Sequence, residues 1–211
     1  ISDDCPDARY IVCVRPQDEL AVAWHMQMYN AGYDDIRDFA QAWQAIGDRR
    51  QGRRIPQKCL EPRLLDYEAI ASLGFQVERL FSVMPRDKVH IVYLSDIKED
   101  AVQVYLECLK YLKLDDNGRR VFESANAAFV NRSNYMSQLV RKPFVRKHIN
   151  AFNSLVGPRV ASRLKKHVKQ GLYKSMAREP LREDFKQQLR AVFYDDDQIL
   201  MEKLGRVLIQ Q

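Results

Sequence analysis

The sequence predicts an α/β fold in which a parallel sheet is flanked by helices. Three observations predict it. Two mostly apolar runs read as strands: Tyr10 to Val14, uncharged and with three β-branched residues, as one buried on both faces, and Val89 to Leu94 as the second. Apolar residues recur at helical spacing between and after them. The order strand, helices, strand, helix is the alternation that builds parallel sheets, because parallel neighbours need a long crossover. Most of the chain after Phe144 patterns as helix, so the C-terminal part is expected to be helix-rich. Two strands make a poor sheet for 211 residues, so the chain reads as part of a larger α/β unit.

The first strand ends at Arg15, because Pro16 cannot donate to a sheet ladder. Asp18 can then cap a helix with Leu20, Ala21, Ala23, Trp24 and Met28 on one broad face, stopping at Asn30-Ala31-Gly32. Asp34 to Gly47 reads as a second, short helix carrying Ile36, Phe39, Ala40, Trp43 and Ile46. Asp48 to Pro62 contains Gly52, Pro56, Pro62 and the pairs Arg49-Arg50 and Arg53-Arg54. It is expected to be a mobile basic loop, either shaping access to a site or a tolerant insertion.

Leu64 to Met84 resumes a helical pattern with Gly74 inside it. A glycine there costs about 1 kcal/mol relative to alanine, which points to a close backbone approach or a local break. Pro85-Arg86-Asp87 turns the chain into the second strand, where His90 reads as a packed or edge histidine. Ser95-Asp96 ends that strand, and Glu99-Asp100 opens a helix through Leu109 and Leu112 that Asp115 to Gly118 closes. Phe122 to Met136 reads as a loop with a short strand or turn. Phe144 to Tyr173 is helical in pattern, with an interruption at Gly157-Pro158, and Pro180 to Tyr194 is a further helix. Asp195-Asp196-Asp197 caps a last one, through Leu200 and Leu204 to Gly205.

With 46% hydrophobic and 29% charged residues the composition is that of a globular chain. No apolar run approaches the roughly 18–20 residues that span a bilayer. Cys5, Cys13, Cys59 and Cys108 match no zinc or redox spacing, so reduced thiols, no metal and a cytoplasmic protein are expected. Cys13 and Cys108 read as small buried hydrophobes. The net charge of +6 is uneven: between Glu123 and Glu179 there is no carboxylate, while basic residues run from Arg132 to Arg178. That asymmetry implies an anionic partner or a solvated helical face. No RNA- or DNA-binding signature accompanies it, so specific nucleic-acid readout is not expected.

Arg15 stands where a buried strand hands over to a helix N-terminus, the end of an open α/β sheet at which ligands bind. A guanidinium there suits phosphate or sulfate. The alternative is an arginine that solvates the strand end or pairs with a nearby carboxylate. His25, ten residues further along the chain, reads as a packing or surface histidine.

Four stretches resemble the nucleotide-dependent sulfotransferases, especially bacterial members and those acting on sugars. Tyr10 to Gly32 is similar to that family's strand-arginine-helix element. Leu73-Gly74-Phe75 through Arg79, Phe81 and Pro85-Arg86-Asp87 to Ile97 resembles its acceptor-side helix and next core strand. Ala101 to Leu114 resembles the helix after that strand. Pro180 to Arg206, with an acidic turn before Leu204-Gly205, resembles the closing segment. The resemblance implies a P-loop-NTPase-like parallel sheet, incomplete at the N-terminus, with residues 1–211 forming a single partial domain: the C-terminal two-thirds of a sulfotransferase domain.

The resemblance also implies an enzyme that transfers a sulfuryl group from 3′-phosphoadenosine-5′-phosphosulfate to a hydroxyl or amine of a carbohydrate or small molecule. Arg15 would grip the donor's 3′-phosphate, and Asn131, Arg132 and Ser133 would lie in the loop folded over the nucleotide. Tyr67 and Phe75 would line the acceptor site, although at helical spacing both also read as core. The sequence departs from the family pattern in three ways. Ala23 stands eight residues after the arginine, where the family carries a phosphate-binding serine. Pro16 follows the arginine at once rather than two positions on. No phosphosulfate loop rich in glycine, lysine and Ser/Thr occurs, and the catalytic base of many members lies in that part. Taken as a whole molecule, 211 residues are therefore not expected to turn over. A catalytically incomplete module holding a polyanion through the basic 132–178 stretch is the competing expectation.

Overall fold

A computed structural model describes residues 7–122, 129–131, 173–175 and 181–206. Two compact units are present, one built from residues 1–23, 67–124 and 181–211 and the other from 24–66 and 125–180.

The first unit holds the parallel sheet. Strand β1 (Tyr10–Val14) and strand β2 (Val89–Tyr93) pair in parallel, with Val12 opposite Ile91 and Val14 opposite Tyr93. Their carboxyl ends therefore coincide. Val12, Val14, Ile91 and Tyr93 point to one face and pack into a cluster with Val77 and Phe81 of α5 (Leu73–Val83) and Leu200 and Leu204 of α9 (Tyr194–Leu204). On the other face α7 (Ala101–Leu112) packs on β2, burying Leu109 and stacking Tyr111 on His90 at 5.0 Å between ring centroids. The α/β class read from the sequence is the observed one: a parallel sheet flanked by helices.

Several local expectations are corrected. β1 is not buried on both faces: Ile11 remains 39% exposed and Cys13 is exposed. The helix on that face covers β2, so the apolar composition of β1 overstates its burial. Cys13, Cys59 and Cys108 are free thiols, and Cys108 is only partly buried. The second strand stops at Tyr93, and α6 (Leu94–Glu99) starts at once, before α7. Asp100 rather than Glu99 opens α7, accepting from the N–H groups of Val102 and Gln103 at 3.0 and 2.9 Å, and the helix closes at Lys113 in the left-handed conformation. The Leu64 to Met84 pattern is not one helix. A 3-10 turn (Pro62–Leu65), α4 (Tyr67–Ala71) and α5 succeed one another, and the break falls at Ser72, directly before Leu73-Gly74. Helix α8 (Glu183–Val192) precedes α9, which ends on Gly205 at φ 69°, a conformation that glycine adopts without strain.

Helix α1 (Gln17–Ala31) begins in the first unit and continues into the second. The second unit packs Met28, Phe39, Trp43, Ile46 and Leu65 into its interior. Helix α2 (Phe39–Gln44) starts later than the sequence suggested: Asp38 in extended conformation caps it, accepting from the Gln41 N–H at 2.8 Å. Helix α3 (Ile46–Arg50) follows, so the loop begins after Arg50. Its four arginines do not form a free basic patch. Arg49 makes a two-pronged, fully buried ion pair with Asp34, Arg50 a two-pronged pair with Asp66, and Arg53 and Arg54 both reach Asp48. Strands β3 (Phe129–Asn131) and β4 (Tyr173–Ser175) pair antiparallel, placing Asn131 opposite Tyr173. The rest of the helical reading that opens at Phe144, residues 144–172, lies outside the described residues.

His25 is a buried core histidine of this unit. Its Nε2–H donates to the Ile36 carbonyl at 2.9 Å, and its ring packs on Phe39 at 5.4 Å between centroids. Burial holds the imidazole below its ordinary 6.5, against smaller opposing pulls from the Ile36 carbonyl and Asp34. The folded state therefore favours neutral His25, and protonation opposes it. Stability from this residue is complete above pH 6.5 and is lost as the pH falls below it. Urea midpoints taken between about pH 7.5 and pH 5 should fall more steeply for the native protein than for His25→Phe. Equal slopes would contradict this.

Candidate functional site

The carboxyl ends of β1 and β2 bring together the residues with chemical potential in the first unit. Arg15 follows directly on Val14, which pairs with Tyr93 at the end of β2. Its Nη2 donates to Glu19 Oε2 at 3.1 Å, one turn into α1, and its side chain is 22% exposed. The carboxylate-pairing alternative is thus present in the structure as this Arg15–Glu19 pair. Lys98 of α6 reaches the same Glu19 oxygen at 3.7 Å. The first turn of α1 carries Asp18 as well, whose Oδ1 accepts from the Glu19 N–H at 2.7 Å. Ala23, further along α1, offers no hydroxyl.

Two residues past Arg15, the fully buried side chain of Gln17 fixes the start of α1. Its Nε2 donates to Asp196 Oδ2 at 3.1 Å and to Asp197 Oδ1 at 2.6 Å. Ionised carboxylates only accept, so these bonds set which end of the amide is nitrogen and leave Gln17 Oε1 buried without a hydrogen-bond partner. Asp196 also accepts from the N–H groups of Gly74 at 2.8 Å and Phe75 at 3.0 Å, the unsatisfied donors at the start of α5. One buried carboxylate on α9 thus ties α5 to the strand–helix junction that carries Arg15. Burial raises the Asp197 carboxyl above its ordinary value, and the nearby Asp196 and Asp18 charges push the same way, while the Gln17 hydrogen bond opposes them.

A second clasp closes the end of β2. Arg206, just past α9, pairs two-pronged with Asp96 of α6 at 2.9 and 2.8 Å, donates to Ser95 Oγ at 3.2 Å, and lies over the Tyr93 ring at 4.4 Å. The Arg206 hydrogen bond is the main cause that holds the Asp96 carboxyl below its ordinary value.

Of the residues singled out from the sequence, Arg15 and Phe75 are linked through the Gln17–Asp196 tie. Phe75 is 54% exposed on the first turn of α5. Tyr67 is fully buried at the start of α4, a core position, so its ring offers no surface in this structure. The backbone of Asn131 ends β3 in the second unit, and Arg132 and Ser133 lie outside the described residues. Sequence reasoning missed Gln17, Glu19, Lys98 and the reach of Asp196. The one signal for Asp196 was Gly74, an otherwise costly residue inside a helical pattern. Among the described residues no group of three or more His, Cys, Asp or Glu side chains is placed to hold a metal ion, and no helix is long and apolar enough to cross a membrane.

No family model matches the chain, and no curated protein matches it. Among solved structures, the crystal structure of a sulfotransferase from Alicyclobacillus acidocaldarius superimposes with a TM-score of 0.59 at 16% sequence identity, over 97% of this chain and 57% of that one. The chain therefore spans little more than half the length of that protein. At this identity the likeness is one of architecture, and the described structure has a sulfotransferase-like α/β fold.

Proposed function

We propose that this chain forms part of a sulfotransferase-like domain and binds the nucleotide of a 3′-phosphoadenosine-5′-phosphosulfate donor, for transfer of its sulfuryl group to a hydroxyl or amine of a carbohydrate or small molecule. The observation that carries this reading is the position of Arg15. It stands at the carboxyl end of a parallel strand and ahead of a helix, in a chain whose backbone follows a sulfotransferase over nearly its whole length. Arg15 fits the role of a 3′-phosphate ligand: its side chain is partly open, and its planar fork of donors matches phosphate oxygens. Asn131, Arg132 and Ser133 are proposed as further nucleotide contacts and Phe75 as an acceptor contact. Tyr67 is fully buried and is assigned no direct contact.

When bound, the donor supplies the sulfuryl group and a bisphosphate leaving group. This chain's contribution is positional and electrostatic. Arg15 neutralises phosphate charge at one end of the nucleotide, while Gln17 and Asp196 hold the junction on which Arg15 stands. No residue described here is assigned the transfer step itself.

Calorimetry with adenosine 3′,5′-bisphosphate tests the proposal. The native chain should bind, and Arg15→Ala should weaken binding by roughly tenfold to a hundredfold, the loss expected of a charge-assisted, two-pronged contact. Failure to bind the bisphosphate, together with steeply salt-dependent binding of heparin, would favour the polyanion module built on the basic 132–178 stretch.

A further inference from the structure

Two cations from separate elements converge on one oxygen at the carboxyl end of the sheet. Arg15, at the end of β1, and Lys98, on α6, both reach Glu19 Oε2, at 3.1 and 3.7 Å. We propose that Arg15 and Lys98 form a two-cation clamp for a phosphate monoester, and that Glu19 is its resident competitor, displaced when the anion binds. The inference rests on the reading of Arg15 given above. Its new content is Lys98 as a second phosphate ligand and Glu19 as the group that sets the affinity.

The chemistry favours exchange. Glu19 brings one negative charge to the two cations, whereas a phosphate monoester brings nearly two and three acceptor oxygens. Glu19 is 36% exposed and Lys98 is 63% exposed, so either side chain can move without opening the core. The pair they form is of the partly solvated kind whose strength is small, about 0.2–1 kcal/mol in typical cases. A competitor that weak is displaceable. The helix N-terminus alone does not hold the anion: Asp18 and Glu19 make its first turn acidic, and Asp18 already takes the Glu19 N–H. The two side-chain cations are what offset that acidity.

Titrations with inorganic phosphate and with adenosine 3′,5′-bisphosphate, on the native chain and on Lys98→Ala, Glu19→Gln and Lys110→Ala, test this. Lys110 is an exposed lysine on α7 and serves as the control. Lys98→Ala should weaken both ligands by about threefold to tenfold and make the salt dependence shallower. Glu19→Gln should tighten both by a similar factor, about threefold to tenfold, and Lys110→Ala should change neither. All three sites are exposed enough that melting temperatures should stay close to native, which checks folding. Affinities that ignore both Lys98→Ala and Glu19→Gln would overturn the clamp. So would a native chain that binds neither ligand. Bisphosphate binding that needs Arg15 but ignores Lys98 and Glu19 removes the clamp and leaves the nucleotide reading. Phosphate binding that responds to Lys98→Ala and Glu19→Gln, with no preference for the nucleotide, supports the clamp and removes that reading.

Discussion

Asp196→Ala is expected to destabilise the sheet-bearing unit by about 3–5 kcal/mol, a large fraction of a typical domain's stability. The carboxylate is buried and accepts three hydrogen bonds, from Gly74 N–H, Phe75 N–H and Gln17 Nε2. Truncation removes all three acceptors at once. It leaves two N–H groups at the start of α5 without a cap and removes one of the two acceptors that hold Gln17. Asp196→Asn keeps the shape but offers one acceptor oxygen and turns an NH2 toward a donor, so an intermediate loss of about 2 kcal/mol is expected. Gly74→Ala attacks the same contact from the other side. A Cβ there would sit 2.2 Å from the Asp196 carbonyl oxygen and 2.9 Å from its Oδ1, and a backbone atom cannot rotate away. A shift of α9 and a cost of about 3 kcal/mol follow. Urea denaturation of the three variants measures these losses, and a native-like midpoint for Gly74→Ala would show that α5 and α9 are not in this contact.

Arg49→Ala should cost about 3–5 kcal/mol in the second unit. Arg49 and Asp34 have side chains only 2% and 0% exposed and make paired bonds of 3.0 and 2.7 Å. The pair itself need not be a strong net stabiliser, since both ions lost water on burial. Removing one partner is the damaging step, because it strands the other charge in the interior. The double variant Arg49→Ala with Asp34→Ala should therefore be less destabilised than the sum of the singles, and a thermodynamic cycle from urea midpoints measures the difference. Strict additivity would mean that the two side chains do not share a buried site.

What was legible in the sequence and what was not follows from the range of the interactions. β1, β2, α1 and the amphipathic helices are local: Pro16 and apolar spacing specify them within a few residues, although α1 begins at Gln17, one residue ahead of the Asp18 expected to cap it. The α2 start slipped by five residues because its cap is a particular side chain, Asp38 rather than Asp34, and the β2 boundary by one because α6 starts at once at Leu94. The partners of charged residues were not legible. Arg49 and Asp34 are fifteen positions apart, and Asp196 lies more than a hundred and twenty from Gly74. Nothing local distinguishes a paired arginine in the Asp48 to Pro62 loop from a free one. Gly74 was the exception, because a helix-weakening residue in a helical pattern signals a constraint from outside it, and both the close approach and the break are present. Arg15 was legible as a strand-end arginine, but Lys98 and Glu19 share its site only after folding. The apolar composition of β1 was read as two-sided burial, yet Ile11 and Cys13 remain open.

The central claim is that the Arg15 junction is a nucleotide-phosphate site. A crystal structure of the chain with adenosine 3′,5′-bisphosphate tests it most directly. The account predicts the 3′-phosphate within hydrogen-bond distance of the Arg15 guanidinium, at the carboxyl end of β1, with Glu19 turned away. Nucleotide found only along the 132–178 stretch, with the Arg15–Glu19 pair intact, would contradict it.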